Sequence, residues 1–325
     1  MTHAELLAEI ARLRVLVVGD VALDRWCRYD PALGEASRET GIPRIAVVST
    51  ECTPGAAGTV ANNVAALGAH VTLLSAIGCD GHGHELQQAL ARRGISSRLV
   101  ERPDFVTFTY TKLIHAQTGE EDRPRVDFVN TAPVPAALES ELVRRFESLA
   151  PASDVVLVSD QAETAAGGLV TPALRAAIAR FAEASPATVV WVDSRMRAEH
   201  FRGVIVKPNR SEAEAASQRA LGRIHFAQFR TFLRAPLLVV TQGEAGALVV
   251  SERGMEMVAA RPIARPVDIC GAGDSFSAGA ALALKATGDP VAAARFGNLV
   301  ASITVMKKGT GTASPEEVLA AAGAG

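Results

Sequence analysis

The stretch Cys270-Gly271-Ala272-Gly273-Asp274-Ser275-Phe276-Ser277-Ala278-Gly279 sets two glycines one residue apart and an aspartate in front of an Ala-rich run. Glycines at a helix start leave backbone N–H groups open to close approach by an anion, and the helix dipole adds positive potential there. Alone, a G-x-G is as readily a turn that packs helix against strand. Asp274 shifts the balance. A carboxylate in the first turn suits the dipole, yet beside bound phosphate it is repelled unless it has a task. That task would be to take the proton of an attacking hydroxyl while the amides hold the charge of a transferred phosphoryl group. The commoner phosphate loops are missing: there is no Gly-Lys dipeptide, hence no P-loop, and the first strand ends Gly19-Asp20-Val21-Ala22 without G-x-G-x-x-G.

Such residues need a frame. The runs RVLVVGD (14–20), VTLLSAIG (71–78), DVVLVSD (154–160), TVVWVDS (188–194), GVIVKPN (203–209) and PLLVVTQG (236–243) are continuously apolar, as strands buried on both faces are. Helical stretches lie between them, at 59–67, 83–93, 136–149, 172–184, 211–220 and 274–287. The alternation predicts a doubly wound, mostly parallel α/β sheet flanked by helices, in a single domain over 1–325, with ligands at the carboxyl edge of the strands. Segments 25–52 and 98–130 break the pattern with alternating runs such as RIAVVST and FVTFTYTKLIH. Paired with each other, these insertions would make a small β lid over that edge.

Bulk properties exclude several classes. A net charge of -2 offers no electrostatic case for nucleic acid or an anionic membrane. The four cysteines are far apart and form no C-x-x-C, so reduced thiols in a cytoplasmic protein are expected. The N-terminus reads as a helix leading into a strand rather than a targeting peptide, and no apolar run is long enough to span a membrane.

The motif VDICGAGDSFSAG resembles the signature of the ribokinase-like (PfkB) carbohydrate kinases, as do PGAAGTVANNVAALGA (54–69), IGCDGHG (77–83), KPNRSEAE (207–214) and TQGEAG (241–246), in the same order along nearly the whole chain. VLVVGDVALDRW (15–26), VLVSD (156–160), VDSR and KKGTGTASPEEV (307–318) are most similar to the heptose 7-phosphate kinase branch. The resemblance implies an ATP-dependent, Mg2+-requiring kinase of a sugar or sugar phosphate. It implies a stand-alone kinase, without the nucleotidyltransferase fused to that branch in some bacteria. It makes Asp274 the base and Gly271, Ala272 and Gly273 the anion hole. Asp24, Gly55, Thr59 and Asn63 fall at the sugar, and Thr241, Gly243, Gly246, Asn298, Lys307 and Gly309 border the nucleotide. Asn209 and Glu212 organise Mg2+ through water, Asp268 stands where a monovalent cation such as K+ binds, and the lids form a homodimer.

Departures from the family pattern bear on the acceptor. Ala56 replaces the second glycine of P-G-G, Thr59 the sugar-facing asparagine, and Glu163 a lysine. They motivate a rival expectation, a non-catalytic sugar- or nucleotide-binding protein on a kinase scaffold. Other candidates read more simply: His82 and His84 as a solvated face, Arg125 and Asp127 as a cross-strand ion pair, and Lys307 and Lys308 as solvated unless phosphate is near. Asp193 is either a helix cap or a carboxylate beside the metal and nucleotide.

Overall fold

Alternation of side chains across a strand means that a strand apolar at every position has both faces covered. In a computed structural model of the chain, which describes residues 1–263 and 265–323, this holds for the inner strands of the central sheet. Helix α1 (His3–Ile10), started by a Thr2/Glu5 capping box, leads into β1 (Arg14–Gly19) and then β2 (Val21–Tyr29). β3 (Val47–Ala56) runs directly into α2 (Ala57–Ala66), followed by β4 (His70–Gly78), α3 (Gly81–Arg92), β5 (Ser96–Arg102), β6 (Phe108–His115) and β7 (Val126–Phe128). Next come α4 (Ala136–Leu149), β8 (Val155–Asp160), α5 (Pro172–Ala184), β9 (Val189–Ser194), β10 (Ile205–Val206), α6 (Arg210–Leu221), α7 (Phe226–Leu233) and β11 (Leu238–Thr241). A hairpin of β12 (Ala247–Ser251) and β13 (Gly254–Val258) precedes α8 (Ala272–Thr287), α9 (Pro290–Thr304) and α10 (Pro315–Gly323).

Among the described residues the large sheet has nine strands in the order β13-β12-β11-β10-β9-β8-β1-β4-β5. It is parallel from β5 to β11, and the β12–β13 hairpin closes it antiparallel. Val15 and Val17 of β1 join a core with Leu73, Trp191 and Phe276 on one face. Leu16 and Val18 join Val156, Phe146 and Phe229 on the other. The chain moves outward from β1 to β4 and β5, then returns to β8 on the opposite side of β1. That reversal opens a crevice at the carboxyl ends of β1 and β8, where open α/β sheets bind ligands.

The two irregular segments supply most of a second, four-stranded sheet in the order β3-β2-β6-β7. Register puts Asp24 opposite Tyr110, Trp26 opposite Lys112 and Tyr110 opposite Asp127, so these side chains share one face. Two boundaries differ from expectation. β2 of the lid begins at Val21, four residues before the segment ascribed to the lid, and residues 98–102 belong to β5 of the large sheet rather than to the lid. An edge strand is covered on one face only, so β5 alternates just as a lid strand does. The β12–β13 hairpin escaped the sequence reading for the same reason: Met255 and Met257 are exposed.

Candidate active site

The loop before α8 turns through Gly271, whose φ of +77° is left-handed and favours glycine. A side chain there would press on Thr59 and Thr310, 3.2 and 3.3 Å from its Cβ. No side chain caps the helix. Ala272 N–H donates to Ile269 O at 3.2 Å, so of the three expected anion-hole amides it is already engaged. Among the described residues the N–H groups of Gly271 and Gly273 have no partner, and they are the ones left to receive an anion.

Asp274 stands in the same turn. Desolvation pushes its carboxyl up to about 7, with Asp193 adding repulsion against the pull of Lys207 and Arg195. Lys207, 3% exposed, ends the β10 segment and binds Asp193, at the end of β9, at 2.7 Å. Burial works against its charge, but Asp193, with Glu212 and Asp274, outweighs that and holds it above the ordinary lysine value. Its Nζ is 3.4 Å from where a Cβ on Gly273 would lie, so the ammonium touches the anion loop from beneath. Asp193 is thus neither a helix cap nor free; it is the counter-ion of a buried lysine. Sequence reasoning missed Lys207, although a lone lysine ending the apolar run GVIVKPN signals a buried charge that requires a partner.

Asn209 caps α6: its Oδ1 accepts from Glu212 N–H at 2.9 Å and Ser211 Oγ at 2.8 Å, while Glu212 Oε2 accepts from Asn209 N–H at 2.8 Å. Burial, and then Asp193, raise the Glu212 carboxyl. Thr241 lies against this cap, its N–H on Pro208 O at 3.1 Å. Gly243 and Gly246 form the next turn, and Asn298 on α9 holds the end of β13 that lies against Gly246, donating to Val258 O and Ala259 O at 3.1 and 3.2 Å. Asp268 ties the GAGD loop to the 307–310 turn, its carboxylate accepting from Cys270 N–H at 2.9 Å and Gly309 N–H at 3.1 Å. Lys307 turns away, to Glu317 and to Thr312 O. Among the described residues no three His, Cys, Asp or Glu converge on a metal position. The capping box, with one Glu212 oxygen to spare, suits a hydrated cation that brings its other ligands on phosphate and water.

From the lid, Asp24 is 8% exposed and its carboxyl is raised to about 6 by desolvation, against the pull of Lys112 and Arg125. Gly55 makes room for it: a Cβ there would sit 2.8 Å from Asp24 Oδ2. Gly55→Ala is therefore expected to displace Asp24 and raise the acceptor KM by about tenfold, with kcat and melting temperature changed far less; an unchanged KM would remove Asp24 from the acceptor site. Two residues expected at the sugar are buried. Thr59 is 1% exposed with its hydroxyl on Pro54 O at 3.2 Å, and Asn63 is fully buried with its amide on Thr59 O at 3.0 Å. Thr59 nevertheless borders Gly271 of the anion loop, and among the described residues Asn63 Oδ1 has no hydrogen-bond partner.

Beneath the lid, Asp20 gathers the loop after β8, accepting from the N–H groups of Gln161, Ala162 and Leu169 at 2.8, 2.9 and 2.7 Å. Asp160, fully buried, accepts from Ser194 Oγ and from Arg197, each at 2.6 Å. That loop carries Glu163, which pairs with Arg195. Arg125 and Asp127 do form an ion pair, but two residues apart on the same segment rather than across strands.

Known proteins place this arrangement. The bifunctional protein HldE of Trichlorobacter lovleyi is 33% identical over 325 aligned positions, 95% of this chain and 62% of that protein. HldE of Caulobacter vibrioides is 34% identical, over 95% of this chain and 63% of that protein. The chain thus spans less than two thirds of the length of the curated relatives it matches. Among solved structures, ribokinase from Thermotoga maritima superposes with a TM-score of 0.72 at 22% identity, covering 96% of this chain and 99% of that one. Phosphofructokinase-2 from Escherichia coli in complex with potassium gives 0.74 at 21%, with the same coverages. The doubly wound sheet, the uncapped glycine turn before α8 and the first-turn aspartate accord with a match of residues 13–317 to the pfkB family carbohydrate kinases, and the chain belongs to that family.

Proposed function

We propose that this chain transfers the γ-phosphoryl group of ATP to a hydroxyl of a sugar or sugar phosphate held between the lid and the carboxyl edge of the sheet. The observation that carries the reading is the shared first turn of α8: a carboxyl near neutrality, two unengaged amides and a buried ammonium beneath them. Asp274 accepts the proton of the acceptor hydroxyl as its oxygen bonds to the γ-phosphorus and the bond to the bridging oxygen of ADP breaks. The amides of Gly271 and Gly273, with Lys207 below, meet the charge spread over the transferring group. Asp24 orients the acceptor. ATP would lie along Thr241, Gly243 and Gly246, past Asn298 and Gly309. Asn209 and Glu212 would hold the waters of Mg2+, which when bound shields charge on the phosphates, and Asp268 would steady a K+ beside the anion loop.

The resemblance of VLVVGDVALDRW and KKGTGTASPEEV to the heptose 7-phosphate kinase branch makes heptoses, with and without the 7-phosphate, the first acceptors to test. Exposed apolar residues at the start of the lid, among them Ile42 at 66% and Val48 at 53%, support a homodimer joined there. The test of the reading is ADP release and product mass with a sugar panel. A general base must be ionised, so log kcat/KM is expected to rise with unit slope as pH increases towards about 7, the Asp274 value, and to level above it. A profile flat from pH 8 down to 5.5 would remove Asp274 as the base.

A further inference from the structure

Cations and carboxylates on the lid side of the acceptor chamber come in pairs. Arg195, just past β9, is ion-paired to Glu163 in the loop after β8. Arg125 holds Asp127 through two bonds of 2.7 Å and lies 4.8 Å from the Tyr110 ring centre. Lys112 lies over the Trp26 ring at 4.1 Å and is the cation acting most strongly on Asp24. Glu163 lies between Gln161, whose Nε2 donates to Asp193 O at 3.4 Å, and Thr164, whose Oγ1 donates to Asn130 O at 2.8 Å just past β7, while Arg195 N–H donates to Asp160 O at 3.0 Å, so the Glu163–Arg195 pair stands between the strand ends of the catalytic side and the lid.

We infer that Glu163 is a specificity-determining residue that selects an acceptor carrying no phosphate on the end remote from the reacting hydroxyl; the inference rests on the kinase reading above. A phosphomonoester carries nearly two negative charges at neutral pH and is best held by a guanidinium with a free edge. Arg195 meets Glu163 through Nη1 alone, so an arriving phosphate finds the carboxylate at the same range as the cation. It must displace Glu163 or bear its repulsion, and repulsion against the wrong partner is how charged sites discriminate. An uncharged polyol pays neither cost and finds donors and acceptors in Arg195, Glu163, Asp127 and Tyr110.

The test uses matched pairs of sugars, each free and phosphorylated on its terminal carbon, with MgATP and the full chain. Wild type is expected to show kcat/KM at least about tenfold higher for the free member of the pairs it accepts. Glu163→Lys is expected to lower KM for the phosphorylated member about tenfold, with kcat changed less and with the gain reduced at high salt. Glu163→Gln should move in the same direction by less, and melting curves establish that both variants are folded. Wild-type preference for phosphorylated members, or folded variants with an unchanged ratio, overturns the assignment while leaving the kinase reading intact. No turnover of any sugar, with melting still raised by an MgATP analogue, overturns the kinase reading itself and the assignment with it.

Discussion

Asp274→Asn is expected to lose about 10³-fold or more in kcat, since it removes the only first-turn group able to take the acceptor proton. The change is isosteric and leaves the Gly271 and Gly273 amides and Lys207 in place, so nucleotide affinity measured by calorimetry should stay within a few-fold of wild type. The same substitution should stabilise the ligand-free protein. The Asp274 carboxyl ordinarily titrates near 3.8 and is raised to about 7 in the fold. Between those values the folded chain holds a proton the unfolded chain lacks, so the contribution is fully present below 3.8 and is lost as pH rises through 7. Ionised Asp274 therefore weakens the fold above neutrality by an amount on the order of 2–4 kcal/mol. Asp274→Asn should raise Tm by a few degrees at pH 8, by roughly a third of that at pH 5, and hardly below pH 4. Wild-type turnover in the variant ends the assignment of Asp274 as base. Equal melting at both pH values would mean that its carboxyl is solvated rather than strained.

The candidate catalytic turn was legible in the sequence because its residues sit together or at strand ends, where local pattern carries meaning. Gly271, Gly273 and Asp274 are neighbours in the chain and in space, whereas Asn209 and Glu212 were named through the family resemblance and their capping box emerged only in the structure. Lys207 was overlooked because its partner, Asp193, lies on another strand, and such pairings appear only when β9 and β10 are aligned. Glu163 read as a charge in conflict with its surroundings until Arg195, beyond the next strand, was seen to face it. Thr59 and Asn63 are buried, which a motif does not reveal because it gives residue type without the packing of the helix that bears it. The lid was recognisable from alternation, and the same alternation misassigned 98–102, since edge strands of either sheet look alike.

Lys207→Met should be the most damaging change to the fold among the site residues. Removing one member of a buried ion pair strands the other: Asp193, 8% exposed, would keep Glu212 and Asp274 as electrostatic neighbours and lose its ammonium. Breaking such a pair costs about 3–5 kcal/mol, visible as a fall of several degrees in Tm. Catalysis suffers by a separate route. Lys207 pulls the Asp274 carboxyl down, so its loss lets that carboxyl rise and moves the acid limb of the pH–rate profile upward from about 7. Without an ammonium under Gly273 the transferring group also loses a fixed positive charge, and kcat should fall about 10²-fold. The double variant Asp193→Asn with Lys207→Met separates the two roles, because it removes the stranded charge and should recover most of the melting temperature by non-additivity. Turnover should stay low. Recovery of turnover together with stability would reduce Lys207 to a scaffold for Asp193; recovery of stability alone would place its charge in the phosphoryl-transfer step.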